Sequence, residues 1–456
     1  MTAKLKNGKI SITEGSLFKN IILFAIPVIF TGLLQLLFTS VDNLIVGRIC
    51  GSDALASIGT ALPVVSLIVE VLLGLSTGAS VCSAQAIGSK NSRDVHEVVH
   101  TAILMSIVGG VVLGCGGFFL AEQILEWMSV ERGLLGDASS YLRIYFLGLP
   151  FMLFYNYGAG ILRSAGDTKR PLYYLFAGGA LNIILDFIFV NLWGISGAAI
   201  ATVLSQVTSA TLLALFFMRT NEDYKLSWKR LRIYTSKFKK ILLIGIPAGL
   251  QGVVFCFSNV VVQSSINSLG PAVMAGHSAA GNFEAFAYNA MTGFNQAAVT
   301  FVSQNLGARK LDRMKKSVVL CATLVCITGL VLNGIVLLAR YPLLELFIVD
   351  SPAAIAVGIN RMLIICPFHC LCGVLQVYMA AIQSMGSTVA PVIISVAGSC
   401  GLRITWIFTV FKAIPTAEAL FWCYPVSWAS TLVAMFILYM IVRPIQFRRM
   451  GLINEK

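Results

Sequence analysis

The feature that most constrains this chain is a set of long runs containing no Asp, Glu, Lys or Arg. A hydrocarbon layer about 30 Å thick is crossed by a helix of about 20 apolar residues. Leu192 to Met218, Ser317 to Ala339 and Ala419 to Val442 each read as one crossing. Ile241 to Phe283 and Met362 to Leu402 are roughly twice that length. Each holds a turn signal near its middle, Ser268-Leu269-Gly270-Pro271 and Ser384-Met385-Gly386-Ser387, so each reads as two helices. The same reading predicts about twelve helices, near 21–46, 57–84, 98–121, 141–162, 171–190, 195–218, 241–266, 273–301, 317–339, 357–382, 390–411 and 420–442. The expected fold is an all-α integral membrane protein.

Composition excludes the alternatives. Only 12% of the 456 residues are charged and 57% are apolar, whereas a soluble domain carries about 25% charged residues. Too little polar surface is available to wrap a water-soluble core, so lipid is the expected solvent for most of the chain. The net charge of +13 does not imply nucleic acid, because the basic residues sit in short segments between apolar runs rather than on one face of a soluble domain. The eleven cysteines lie mostly inside those runs and read as small buried hydrophobes, not as disulfides or zinc ligands. No His/Cys/Asp metal spacing or nucleophile motif is evident, so neither an enzyme nor a resident cofactor is expected.

The basic residues also set the orientation. Most of the 33 Lys and Arg fall in alternate segments: the N-terminus (Lys4, Lys6, Lys9, Lys19), 88–97, 163–170, 219–240, 309–316 and the C-terminus. The opposite segments hold only Arg48, Arg132, Arg143, Arg340, Arg361 and Lys412, and Arg403 falls inside a run. Positively charged loops stay in the cytoplasm, which puts both termini there in a multi-pass protein of the cell (inner) membrane. The first apolar run is too long for a cleaved leader.

An offset of about 220 residues superimposes the chain on itself. Ile26-Pro27 matches Ile246-Pro247, and Gln85-Ala86-Ile87-Gly88 matches Gln304-Asn305-Leu306-Gly307. Pro150-Phe151 matches Pro367-Phe368, and Arg163-Ser164-Ala165-Gly166-Asp167-Thr168 matches Gln383-Ser384-Met385-Gly386-Ser387-Thr388. This predicts a six-helix lobe at 1–218, a basic cytoplasmic linker at 219–240 and a second six-helix lobe at 241–456. Six crossings per lobe is an even number, so the repeats are parallel, a plan suited to transport by one half rocking against the other.

Charges inside the crossings are site candidates, since each costs roughly 2.5 to 3.5 kcal/mol at mid-bilayer. Five stand out: Asp42, Glu70, Asp186, Glu284 and Arg403. Four carboxylates cannot all pair with one arginine, so a proton or another cation must join them. Arg403 reads as a counter-charge for Glu284. Asn182 and Asp186 are four residues apart and share a helix face. If Asp42 faces the same space, burial and repulsion favour a proton on one carboxylate, or sodium among Asp42, Asn182 and Asp186. At the repeat offset the counterparts of Asn182 and Asp186 are Leu402 and Trp406, and those of Asp42 and Asn43 are Val262 and Gln263. The acidic cluster thus belongs to the first half alone.

Taken in order and spacing, Ile26-Pro27, Ser40-Val41-Asp42-Asn43, the Gln-x-Leu/Ile-Gly helix ends, Arg163-Ser164-Ala165-Gly166-Asp167-Thr168 and Asn182-x-x-x-Asp186 resemble the multidrug and toxic compound extrusion (MATE) transporters. The resemblance runs from about Leu17 to Arg443. It implies a V-shaped pair of six-helix lobes that exports organic cations or amphipathic drugs in exchange for protons or sodium ions. It also implies an ion-coupling site at Asp42, Asn182, Asp186 and Thr202. Some members carry acidic residues on helices 7 and 10, where this chain has Asn259, Gln263 and His369. Glu284 stands where many relatives have an acidic residue on helix 8. With Gln263 and the aromatic faces of Phe38, Phe154, Tyr157, Phe255 and Phe283, it is the expected substrate cleft. The expected partners are small cationic or amphipathic substrates and the lipid bilayer, with the monomer as the functional form. The alternative on a related fold is a flippase for a lipid-linked sugar precursor, which would want several cationic residues to hold pyrophosphate. Arg403 alone answers that need.

Overall fold

The computed structural model describes residues 9–128, 130–348, 351–449 and 451. Lys4, Lys6 and Lys456 of the basic pattern, and the outermost residues of the two expected lobes, lie outside the described residues. The described chain is helical nearly throughout. In order it forms α1 (Leu17–Cys50), α2 (Ser52–Gly88), α3 (Ser92–Trp127), α4 (Arg132–Ser164), α5 (Lys169–Arg219), α6 (Thr235–Asn267), α7 (Pro271–Gly307) and α8 (Leu311–Leu338). The short α9 (Arg340–Glu345), then α10 (Pro352–Ile365) and α11 (His369–Ser384), lead to two last helical segments, Val389–Phe411 and Ala417–Arg449.

Among the described residues ten helices are long and apolar enough to cross a membrane, and the remaining two crossings have physical explanations. α5 has 51 residues, more than twice what a hydrocarbon layer needs. It breaks at Gly194, where φ is 57° and ψ is −133°, a conformation open to glycine because it has no Cβ. Each half is one crossing. α7 has 37 residues but carries His277, Asn282, Glu284, Asn289, Asn295 and Gln296, which lower its hydropathy. It packs on α8, α10 and α11, so protein covers Glu284 fully and His277, Asn289, Asn295 and Gln296 in part. The total is the expected twelve.

The internal repeat is visible in backbone conformation. The positive-φ glycines Gly51 and Gly270 open α2 and α7, and Gly166 and Gly386 close the turns after α4 and α11. Lys90 (φ 55°) and Arg309 (φ 57°) are the positive-φ residues other than glycine among the described residues. Both sit in the equivalent turn before a basic-loop helix, so one backbone plan is used twice.

Two compact units emerge from the contacts. Among the described residues the first comprises Phe30–Gly249 with 9–11, and the second comprises Ile12–Ile29 with those from Leu250 onward. The divisions in α1 and α6 fall two residues after Pro27 and Pro247. Proline removes a helix hydrogen bond and clashes with the preceding turn, which weakens continuity there. Tight backbone contacts fix each first half-helix in its unit. A Cβ on Gly74 of α2 would stand 2.1 Å from the Gly249 nitrogen, and one on Gly78 would stand 2.4 Å from the Ile241 carbonyl oxygen. In the second unit a Cβ on Gly293 of α7 would meet Ile29 at 2.4 Å. Small residues at membrane helix contacts permit this approach and the dispersion gain it brings.

Within the first unit α4 is the hub, packed on α2, α3 and α5. It has the lowest mean hydropathy of the ten candidate crossings, 1.2, and the largest buried share, 67%, as expected of a helix that contacts protein on most sides. The basic linker is tied down to α3: the Ser227 N–H donates to His100 Nε2 at 3.2 Å, the Tyr234 N–H to Thr101 Oγ1 at 3.1 Å, and Lys237 pairs with Asp94 at 2.7 Å. In the second unit α7 and α11 are central, with Val262, Ile266, Ile365, Phe421 and Trp428 in one apolar cluster and Ala280, Leu344, Ala354 and Met362 in another.

Candidate functional site

In the first unit the acidic residues meet at α1 and α5. The ring of Phe38 lies against Gly179, where a Cβ would come within 1.9 Å of it. Asp42 follows Phe38 by one helical turn, and Asn182 and Asp186 follow Gly179 by one and two turns. That contact sets the polar faces of the two helices side by side, and the Asp42 and Asp186 side chains interact across it. Asp186 is fully buried and Asn182 nearly so. Tyr141 of α4 stands within electrostatic range of both carboxylates.

Among the described residues, neither Asp186 oxygen, nor Asp42 Oδ1, nor Asn182 Nδ2 has a hydrogen-bond partner. Two ionised carboxylates have no donors to offer each other, and burying such acceptors unpaired is costly. A proton shared between them would satisfy the site. So would a monovalent cation held by the two carboxylates and the Asn182 carbonyl oxygen, a hard oxygen donor set. Thr202 is in the second half of α5, beyond the Gly194 break, and is half-buried. Among the described residues no hydrogen bond joins it to the acidic pair.

The expected cleft residues divide. Phe154 and Tyr157 are buried in the core around α4, at 6% and 1% exposure, which leaves them no open face in this structure. Phe38 packs on Gly179 as described. Phe255 lines a small pocket of the second unit with Cys372, Gln376, Ser399 and Trp428. Gln263 donates to Asn267 Oδ1 at 2.9 Å, and Phe283 meets Phe347 edge to face at 5.4 Å.

Glu284 is committed elsewhere. Arg361 donates through Nε to Oε1 at 2.9 Å and through Nη2 to Oε2 at 2.7 Å, a bidentate pair of the strong kind. Arg361 Nη1 lies 2.6 Å from His277 Nδ1, so His277 accepts there and carries its proton on Nε2. The counter-charge of Glu284 is thus Arg361 and not Arg403, and Arg361 belongs to the buried interior of α10, at 5% exposure, rather than to a loop. Sequence reasoning missed it because it stands near the edge of an apolar run. The signal was present in the shortage of cations for four carboxylates.

Arg403 shares the ring of Tyr424 with Arg361, whose guanidinium lies 5.4 Å from it. Arg403 donates from Nε to Ser427 Oγ at 3.2 Å and from Nη1 to Asn259 Oδ1 at 3.4 Å. Its guanidinium lies over the rings of Tyr424, at 4.5 Å, and Trp428, at 5.9 Å. Trp428 in turn stacks on His369, whose Nδ1 is 3.3 Å from Asn333 Oδ1. Glu70 of α2 is half-buried.

With this geometry established, the comparisons are informative. The MatE family model matches the chain twice, over residues 27–188 and 247–409, at the offset of the internal repeat. The probable multidrug resistance protein YoeA of Bacillus subtilis (strain 168) is 26% identical over 94% of this chain and 95% of its own. The FAD transporter of Shewanella oneidensis is 23% identical over 78% of this chain and 80% of its own. Among solved structures, one described as the outward-facing conformation of a multidrug resistance MATE family transporter of the MOP superfamily superimposes with a TM-score of 0.89. It is 20% identical and covers 96% of this chain and 99% of that one, a likeness of fold.

Proposed function

The chain belongs to the MATE family of multi-pass membrane transporters, and from that premise we propose that it is a multidrug efflux antiporter of the cell membrane, exporting organic cations or amphipathic drugs in exchange for protons or sodium ions. It is a transporter and not an enzyme. The observation that carries the coupling is the meeting of half-buried Asp42 with fully buried Asp186, where Asp42 Oδ1 and both Asp186 oxygens have no hydrogen-bond partner among the described residues. A proton or sodium ion entering from outside removes one of the pair's two negative charges, and the attraction of the first unit for a cationic cargo falls. An ion shifts a two-state equilibrium only by its differential affinity for the two states, so the pair must be more exposed to the coupling ion in one of them. One proton exchanged for one monovalent cation is electroneutral and gains about 1.4 kcal/mol per unit of pH difference. In this reading 1–218 and 241–456 are the two lobes, the 219–240 linker and both termini are cytoplasmic, and the monomer is the working unit.

The flippase alternative loses support from the side chains. Of the two buried arginines of the second unit, Arg361 is consumed by Glu284, which leaves Arg403 to hold a pyrophosphate alone.

Reconstituted in liposomes with an imposed pH or sodium gradient, the wild-type chain is expected to concentrate an ethidium-like fluorescent cation. Asp186→Asn and Asp42→Asn are each expected to reduce that gradient-driven movement by at least tenfold. Undiminished accumulation by Asp186→Asn would remove the pair from the coupling mechanism.

A further inference from the structure

Between Arg219 and Lys240 the linker carries eight basic residues against two acidic ones, Glu222 and Asp223. The fold pairs only part of that charge. Glu222 is taken by Lys9 at 2.5 Å, Lys237 pairs with Asp94 at 2.7 Å, and Lys240 donates to Gln85 Oε1 at 2.7 Å. Lys229, Arg230 and Arg232 are exposed, and none of them has an ion-pair partner among the described residues. Arg232 lies over the ring of Tyr234 at 5.9 Å, a contact that uses none of its N–H donors. Apolar side chains stand among these cations: Trp228 is 49% exposed and Ile233 is 40% exposed.

The anchors of this stretch fix its shape and its depth. Ser227 and Tyr234, the residues on either side of 228–233, donate their N–H groups to adjacent residues of α3, at His100 Nε2 and Thr101 Oγ1. The chain thus leaves and returns to a single turn of α3, which holds 228–233 as a closed loop. On α3 the last charge before the apolar run is Glu97, and 98–121 contains no Asp, Glu, Lys or Arg. His100 and Thr101 lie within one turn of that edge. A second marker agrees: Trp228 Nε1 is 2.9 Å from Sδ of Met218, the last residue of the charge-free run that begins at Leu192. Both contacts put the loop where hydrocarbon gives way to headgroups.

An anionic phospholipid complements such a loop. Its phosphate accepts charge-assisted hydrogen bonds from guanidinium and ammonium groups, and its glycerol and upper acyl region accommodates exposed tryptophan and isoleucine side chains. Free phosphate would satisfy the cations but would leave Trp228 and Ile233 without a partner.

We propose that the loop 228–233 is a binding site for an anionic phospholipid of the cytoplasmic leaflet, with Lys229, Arg230 and Arg232 on the phosphate and Trp228 and Ile233 in the interfacial layer. The assignment rests on the efflux reading only for the side of the membrane on which the linker lies. Each cation near a negative lipid surface strengthens attachment by about fivefold. The lipid composition of that leaflet therefore sets how firmly the segment between α5 and α6 is held against the bilayer.

The test is quenching of Trp228 fluorescence by brominated lipid in nanodiscs that hold the full chain in a fixed mixture of phosphatidylglycerol and phosphatidylcholine. The chain has six tryptophans, so the Trp228 signal is the difference between each protein and the same protein carrying Trp228→Phe. Bromine is placed on one lipid class at a time, at equal mole fraction. Brominated phosphatidylglycerol is expected to quench wild-type Trp228 about threefold or more as strongly as brominated phosphatidylcholine. Lys229→Gln with Arg230→Gln and Arg232→Gln is expected to equalise the two, and Arg448→Gln with Arg449→Gln, exposed cations at the end of the last helical segment, to leave the preference unchanged. Equal quenching in wild type would overturn the proposal whether or not the triple variant folds, and no quenching by either lipid would put Trp228 outside the bilayer and overturn the placement. A preference that survives the triple variant, or is lost in the Arg448 and Arg449 variant, would overturn the role of the loop cations. Loss of the preference when inorganic phosphate replaces chloride at constant ionic strength would assign the site to a soluble phosphate and overturn the lipid reading. No gradient or cargo enters this assay, so its failure and the failure of ion-coupled efflux are read separately.

Discussion

Glu284 and Arg361 form the most strongly bonded ion pair inside the second unit, and their removal one at a time should differ sharply from their removal together. Breaking a buried pair from one side leaves an uncompensated charge and costs about 3 to 5 kcal/mol, whereas replacing both partners with apolar residues of similar size is often neutral. Arg361→Met is therefore expected to lower thermal stability strongly, and Arg361→Met with Glu284→Met to recover most of the loss, as followed by the melting of monodisperse protein in detergent. Additive losses in the double variant would mean that the pair is not coupled. The two charged centres differ in how far the sequence revealed them. Asp42, Asn182 and Asp186 were legible because charges in an apolar run are conspicuous and helical spacing put two of them on one face. Arg361 was not, because a basic residue at the edge of a run looks like part of a loop. Thr202 was placed by resemblance alone, and among the described residues no hydrogen bond ties it to the acids.

Helices and turns were the most legible level, since run length and turn residues fix them independently of tertiary contacts. Both halves of α5 and the polar α7 complete the twelve crossings. What the sequence did not reveal was phase: a single inserted residue in the π turn Val396–Gly401 exchanges an outward Leu402 for an inward Arg403. Close glycine contacts were equally hidden, because a glycine in a membrane helix can serve packing or nothing at all. Gly74→Val places side-chain atoms into the backbone of Gly249 and is expected to abolish recovery of folded protein. Gly116→Ala, with nothing within 4 Å of its added Cβ, is expected to be neutral or to stabilise by up to about 1 kcal/mol. Size-exclusion profiles of the two variants side by side provide the check, and equal yields would show that the α2–α6 contact is dispensable. At the turns, Lys90 and Arg309 hold positive φ values that cost an L-residue about 1 kcal/mol. Lys90→Gly and Arg309→Gly should each raise the melting temperature slightly, and a drop would show that these side chains contribute more than the strain they cause.

At the scale of the whole molecule, the repeat seen in the sequence and the units seen in space are offset from one another. The sequence repeats are matched from Ile26-Pro27 and Ile246-Pro247, yet each spatial unit takes in a first half-helix from the other repeat, up to Ile29 in one case and Gly249 in the other. A fragment ending at residue 218 therefore lacks the strip of α6 on which Gly74 and Gly78 close. Such a fragment is expected to be degraded when expressed alone, while one extended through Gly249 should be recovered in larger amount, as measured by membrane-fraction immunoblotting. Equal recovery would show that the first unit is complete without α6. The shared half-helices also order events in time. As the chain leaves the ribosome, α1 is made first, but its opening turns must wait for α7 to supply Gly293. The first unit cannot close until more than half of the protein has been translated, so an early, unpartnered α1 is where a membrane insertase or chaperone has most to protect.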